Sequence, residues 1–186
     1  MKIIQILVSA LLILIFNGCQ PDQLSQNKNA KSTFNYFDLK GFMKEETDRI
    51  SKMASYTKVV YLNGEEETKK LTQMNLENEL KPFSDSDINK PAWAGKYNID
   101  STFNEKEELV GLVYTSDDKK LKTKKISVDF ESGKVIKVFI ENAANSTVAN
   151  THQALTYQPD IGFSIESKQD VSLLDENYFK IKVLFH

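Results

Sequence analysis

The sequence predicts an α+β fold, with an N-terminal helix packed on a curved antiparallel β-meander of about five or six strands. Three observations predict it. One stretch, from Tyr36 to Ser55, repeats apolar residues every three to four positions. The stretches after Lys96 repeat them every two. The links between those later stretches are too short for parallel crossovers, which need about a dozen residues and usually a helix.

The helical stretch sets Leu39, Met43, Ile50 and Met53, with Phe42 and Ala54 beside them, along one stripe. Lys40, Lys44, Glu45, Asp48, Arg49 and Lys52 fill the other side. Asn35 can cap this helix, with Asp38 three residues on as an imperfect capping box. Gly41 weakens the first turns by about 1 kcal/mol relative to alanine. The stripe covers one side only, so the helix is expected to lay it against the sheet. Thr57 to Leu62 is β-branched and aromatic, and Asn63-Gly64 after it suits a two-residue hairpin turn. The return strand, Glu65 to Leu71, carries so much charge that it fits only an edge. Leu76, Leu80 and Phe83 suggest a short helix in which Pro82 supplies no N–H.

Strand patterns follow. Tyr97, Ile99, Ser101 and Phe103 alternate, and Leu109 to Thr115 is an apolar run before the turn candidate Asp117-Asp118. Ile126, Val128 and Phe130 alternate up to the compact turn Glu131-Ser132-Gly133-Lys134. Ile136, Val138 and Ile140 then alternate on one side, with Val135 and Phe139 on the other. That predicts a central strand covered on both faces. Ala154 to Tyr157 leads to Pro159-Asp160, Ile161, Phe163 and Ile165 alternate around Gly162, and Phe179, Ile181, Val183 and Phe185 close the chain with a period of two.

The N-terminus has a different character. Lys2 is followed by Ile3 to Phe16, apolar except for Gln5 and Ser9, and then by Asn17, Gly18 and the only cysteine, Cys19. This is the three-part layout of a secretory signal peptide. The apolar run falls short of the roughly 20 residues a membrane-spanning helix needs. Gln20 to Lys31 is polar and buries too little to offset the entropy of ordering it. The expected organisation is a signal peptide over 1–18, a flexible tether over 19–32 and a single α+β domain over 33–186.

Phe16-Asn17-Gly18-Cys19 resembles the lipobox of bacterial lipoproteins, in the form with Asn before Gly-Cys that is similar to lipoproteins of the Bacteroidetes. The resemblance implies that the Cys19 thiol takes a diacylglycerol, that the chain is cut before Cys19, and that the new amine is acylated. It implies a membrane partner, held through the N-terminal lipid, and a place in the cell envelope. In the lipoproteins it resembles, acidic residues just after the cysteine favour surface export; only Asp22 is acidic here, so the resemblance implies the periplasmic face of the outer membrane rather than the cell surface. An acylated Cys19 leaves no thiol for a disulfide, a nucleophile or a metal site. The segments Lys90–Trp93 and Leu155–Glu166 also resemble segments of small envelope lipoproteins of the same group, which implies placement and no reaction.

Charge and chemistry narrow the function classes. Lys and Arg number 24 against 26 Asp and Glu, a formal net charge of −2, and Arg49 is the only arginine. Nucleic-acid readers rely on arginine forks, so no nucleic-acid partner is expected. The catalytic inventory is thin: His186 ends the chain and is expected to fray, and His152 lies in a polar turn. Thr151, Ser164 and Asp160 have no triad spacing around it, and no Gly-x-Ser-x-Gly elbow exists. Asp85-Ser86-Asp87-Ile88-Asn89 begins like a calcium loop, but Lys90 and Lys96 stand where Gly and Glu are required. Those acids read instead as the end of a helical turn, and Asn145-Ser146-Thr147 as a loop. No metal, cofactor or catalytic residue is implied. Trp93, Tyr97, Tyr157 and Phe163 are the candidate ligand or partner contacts. For Trp93 the favoured reading is that it seals the junction between the helical half and the sheet. The expected function is a non-enzymatic, membrane-anchored envelope lipoprotein that binds a protein, peptide or apolar ligand. A structural or assembly subunit of an envelope complex is the alternative, and a hydrolase stands behind both.

Overall fold

Nine antiparallel strands form one open sheet, and two helices pack against one of its faces. The computed structural model describes residues 36–171 and 177–186. The segments read as signal peptide and tether, Cys19 and the candidate cap Asn35 lie outside the described residues. The elements are α1 (Leu39–Ile50), β1 (Tyr56–Leu62), β2 (Glu65–Leu71), α2 (Leu76–Ser84), a single 3-10 turn (Pro91–Trp93), and seven further strands. These are β3 (Asn98–Phe103), β4 (Leu109–Thr115), β5 (Thr123–Glu131), β6 (Lys134–Asn145), β7 (Ala149–Gln158), β8 (Gly162–Val171) and β9 (Asn177–Phe185). Among the described residues no helix is long and apolar enough to cross a membrane.

The sheet is larger than the sequence suggests, nine strands instead of five or six, and its order is β2-β1-β9-β8-β7-β6-β5-β4-β3. Strands β3 to β9 are a meander. The first hairpin does not stand apart from it, because β1 pairs along its whole length with β9. Strands β2 and β3, neighbours in sequence, therefore become the two opposite edges of the sheet. The segment 72–97, with α2 in it, has to cross eight strand spacings, about 38 Å along the sheet. It does so over the face that α1 also covers, and the core forms beneath the two helices.

Local sequence decides the turns. Asn63 and Gly64 both have positive φ, 48° and 96°, and join β1 to β2 as a two-residue turn. Ser132 and Gly133, at 49° and 74°, do the same between β5 and β6. Strand β2 is an edge, as its charge requires.

Tertiary contacts set the ends of α1. The helix spans Leu39–Ile50, shorter at both ends than the apolar stripe suggests. At its start, Tyr36 N–H donates to Asn89 Oδ1 (2.9 Å) and Phe37 N–H to the Tyr114 hydroxyl (3.0 Å). Asn89 Nδ2 donates to the Phe37 carbonyl (2.9 Å). Those backbone groups are committed elsewhere, so Asp38 becomes the cap, its carboxylate accepting from Gly41 N–H at 2.8 Å. A Cβ on residue 41 would overlap that carboxylate, which gives Gly41 a reason. At the other end, Ala54 and Ser55 donate their N–H groups to the carbonyl of His186. The sheet ladder thus begins where the helix was expected to continue. His186 does not fray: its N–H bonds the Ser55 carbonyl (3.0 Å) and its ring lies 2.9 Å from the Thr57 hydroxyl. Leu39, Met43 and Ile50 are buried as the stripe requires, Met53 is half-buried beyond the helix, and Ala54 is exposed. Helix α2 forms with Pro82 inside it, and Leu76, Leu80 and Phe83 are buried.

Strand β6 corrects a second expectation. Phe130 pairs with Val135 while Asp129 pairs with Lys137, so Ile136 is a bulge residue. The bulge brings Val135 to the same face as Val138 and Ile140 and leaves Ile136 exposed. Strand β6 is central, but among the described residues helices cover only one of its faces.

Candidate functional site

The two faces of the sheet have different chemistry, row by row. On the covered face, Tyr114, Ile126, Ile140, Leu155 and Ile165 stand side by side across five strands, all buried. The next row holds Val128, Val138, Tyr157, Phe163 and Val183, also buried. On the other face, Val113, Ser127, Phe139, Thr156, Ser164 and Lys182 form one row, and none of them is buried.

The strongest polar cluster lies under α1. Arg49 is bidentate to Glu46, Nε to Oε1 at 2.9 Å and Nη2 to Oε2 at 2.7 Å. Tyr157 donates its hydroxyl to Glu46 at 2.8 Å. Arg49 also donates to the Pro159 carbonyl and to Asp160 (3.3 Å). Burial, and after it the Glu46 carboxylate, push the Tyr157 phenol far above its ordinary range. The hydrogen bonds that Arg49 itself donates to Glu46 raise its guanidinium too. A phenol and a guanidinium that hold their protons this firmly are poor acid–base catalysts. The cluster instead locks α1 to the β7–β8 turn.

The predicted contact residues are brought together as two separate pairs. Tyr157 (0% exposed) and Phe163 (3%) meet around Phe83, at 6.0 and 6.1 Å between ring centroids, inside the core. Tyr97 (6%) lies four strands away, its hydroxyl on the Thr123 carbonyl at 2.8 Å. Burial raises its pKa as well. Trp93 is half-buried, 6.3 Å from Tyr97, with Lys90 Nζ 3.9 Å from its ring centroid. It packs where the 3-10 turn meets the sheet. Three of the four side chains are thus enclosed by the protein itself.

The other singled-out residues do not converge either. His152 is exposed on β7 opposite Lys168, while Ser164 pairs with Thr156, about 13 Å along the strand. Thr151, next to His152, points to the other face, and Asp160 is held by Arg49. Asp85 closes α2 through Lys81 (2.7 Å), and buried Asp87 accepts from Asn89 N–H (3.1 Å). Asn89, fixed by that bond, is the residue that holds Tyr36 and Phe37. Among the described residues no group of three or more His, Cys, Asp or Glu could hold a metal ion.

One depression on the bare face was not visible in the sequence. Ala143 and Ala154 form its floor, and Glu141, His152, Glu166 and Lys168 rise around it, enclosing about 460 Å³. Glu166 is bound to Lys180 at 2.7 Å, a hydrogen bond that raises the lysine pKa. The floor depends on Ala143 and Ala154 standing beside long side chains of neighbouring strands, so only the pairing register reveals it. A second groove of about 920 Å³ runs between α1 and α2, with Lys40, Lys44, Asp48, Glu77 and Asp85 along it. Both are open and lined by mixed charge, suited to hydrogen bonding with an extended or polar surface.

Among the described residues the fold is thus an open sheet with one face packed under two helices and the other face uncovered and able to hydrogen-bond. Compared with known proteins, the chain matches no family model, no curated protein and no solved structure.

Proposed function

We propose that the chain is a lipid-anchored envelope protein that binds a partner protein or peptide on the uncovered side of its sheet. The anchor is Cys19, at the end of the apolar run and before a polar tether. Acyl chains contribute about 0.8 kcal/mol per buried methylene, and more than one chain is needed for stable attachment.

The observation that carries the reading is the contrast between a core already filled and a sheet face left free. Tyr157, Phe163 and Tyr97 occupy the apolar interior themselves, which leaves an apolar small ligand little room. The uncovered face offers hydroxyls, carboxylates and lysines around an alanine-floored depression, donors and acceptors that can hydrogen-bond the backbone and polar side chains of a polypeptide. An assembly subunit would use the same chemistry with a permanent partner.

Two measurements test this. Intact mass of the membrane-extracted protein should give an acylated Cys19 N-terminus, and an uncleaved Met1 or a free thiol would overturn the anchor. Quantitative co-purification in detergent should recover a stoichiometric partner with the wild type and lose it with Ala154→Arg. A partner indifferent to Ala154→Arg would move binding off this face, and tightly held lipid in the purified domain would point to carriage.

A further inference from the structure

Among the described residues no further strand pairs with either edge of the sheet, and the two edges are not equivalent. Strand β2 reads Glu65-Glu66-Glu67-Thr68-Lys69-Lys70-Leu71, and its charges discourage a further strand. Strand β3 reads Asn98-Ile99-Asp100-Ser101-Thr102-Phe103, with one charge. Ile99 and Phe103 are 50% and 59% exposed. Ile99 pairs with buried Tyr114, so it continues the apolar row of the covered face beyond the reach of the helices. At the β2 end the corresponding row finishes on Glu67, opposite Val60.

We propose that β3 pairs antiparallel with β3 of a second copy, in the register that sets Ser101 opposite itself. Antiparallel strands pair about two-fold axes perpendicular to the sheet, which keep the covered face of both copies on one side. Among such registers, the one centred on Asp100 sets two carboxylates opposite each other. The one centred on Thr102 sets Ile99 against Glu105 and Phe103 against Ser101. The register centred on Ser101 sets Ile99 against Phe103 of the second copy twice, and Asp100 against Thr102 twice. It is the register that covers both exposed apolar side chains without opposing like charges.

The place where the chain joins the domain agrees with this. Tyr36 packs on Tyr97 and Tyr114, at 5.6 and 5.5 Å, and its hydroxyl accepts from Gly95 N–H at 3.0 Å. Residue 36 therefore lies beside the start of β3, on the covered face. The two-fold places residue 36 of both copies on the same side of the joined sheet. A pairing of six-residue strands is smaller than the roughly 1,600 Å² of a standard interface, and confinement to a membrane would raise its occupancy.

The pairing rests on the edge strand and not on the lipid, and the experiment is chosen to keep the two apart. The full chain carrying Cys19→Ser and Ser101→Cys has its single thiol at the two-fold. Mild oxidation of a concentrated solution, where concentration replaces membrane confinement and the disulfide traps a transient pair, should give a covalent dimer, since directly opposed residues lie within disulfide reach. Glu67→Cys on β2, in the same background, should stay monomeric. Adding Ile99→Lys to the Ser101→Cys chain should lower dimer formation about tenfold, because two apolar pairs are lost. Ile99 is exposed, so the unfolding midpoint of that variant should match its parent. Absence of the Ser101→Cys dimer, equal cross-linking at Glu67→Cys, or indifference to Ile99→Lys would each overturn the proposal. A monomer by mass whose β3 binds another protein's strand would overturn the second copy as its occupant.

Discussion

Leu155 and Thr156 are neighbours on β7, and they point into different environments. Leu155 is fully buried beneath the helices, whereas Thr156 is half-buried on the bare face between Phe139 and Ser164. The same contrast runs across the sheet: one face is apolar and buried, and the other is of mixed polarity and, among the described residues, uncovered. Stability should therefore reside on one side of each central strand and binding on the other. In an antiparallel sheet a single alternation of residues separates these two tasks.

The largest loss should come from Tyr157→Ala. It empties a fully buried aromatic site and takes the hydroxyl from Glu46, and we expect about 5 kcal/mol in denaturant unfolding. Tyr157→Phe keeps the ring and should cost about 1–2 kcal/mol, because Arg49 still holds Glu46. If the two variants unfold alike, the polar lock and not ring packing secures the covered face.

Leu155→Ala and Ile50→Ala come next, each at about 3 kcal/mol, one from the sheet side of the core and one from α1. A near-zero value for Ile50→Ala alone would mean that α1 is not the lid of the core.

Gly162→Ala sharpens the comparison at its boundary. Gly162 has φ of 147°, and an added Cβ would overlap the carbonyl oxygen of Val183 on β9. The expected cost is about 2–3 kcal/mol from backbone strain, read as a lowered unfolding midpoint with secondary structure retained. A neutral result would show that β8 and β9 separate freely at that end.

The smallest effect should come from Thr156→Ala, within about 0.5 kcal/mol, with Lys44→Ala on the outer side of α1 as its helical counterpart. A loss at Thr156 comparable to that at Leu155 would break the contrast and mean that something packs on the bare face.

The elements that could be read from the sequence are those whose physics is local. Asn63-Gly64 and Ser132-Gly133 are turns because those residues tolerate positive φ, whatever surrounds them. The stripe of Leu39, Met43 and Ile50, and the alternation in β5, β8 and β9, follow from helix and strand periods alone. The charge of β2 marks it as an edge for the same reason. Of the candidate contacts, Trp93 ends the 3-10 turn and packs against the core, in keeping with the junction reading drawn from Lys90-Pro91-Ala92. The enclosure of Tyr157 was not, since a buried aromatic and an exposed one look the same in sequence.

Only the tertiary structure decided the rest. Pairing of β1 with β9 joins residues more than a hundred positions apart, and no local pattern encodes that neighbour. That pairing makes edges of β2 and β3, sends α2 across the sheet and adds the strands that a simple meander lacks. The bulge at Ile136 reverses the faces of Val135 by inserting one residue, which alternation alone does not show. Periodicity says which residues share a face, whereas the choice of covered face, filled core and free edge depends on where distant segments come to rest.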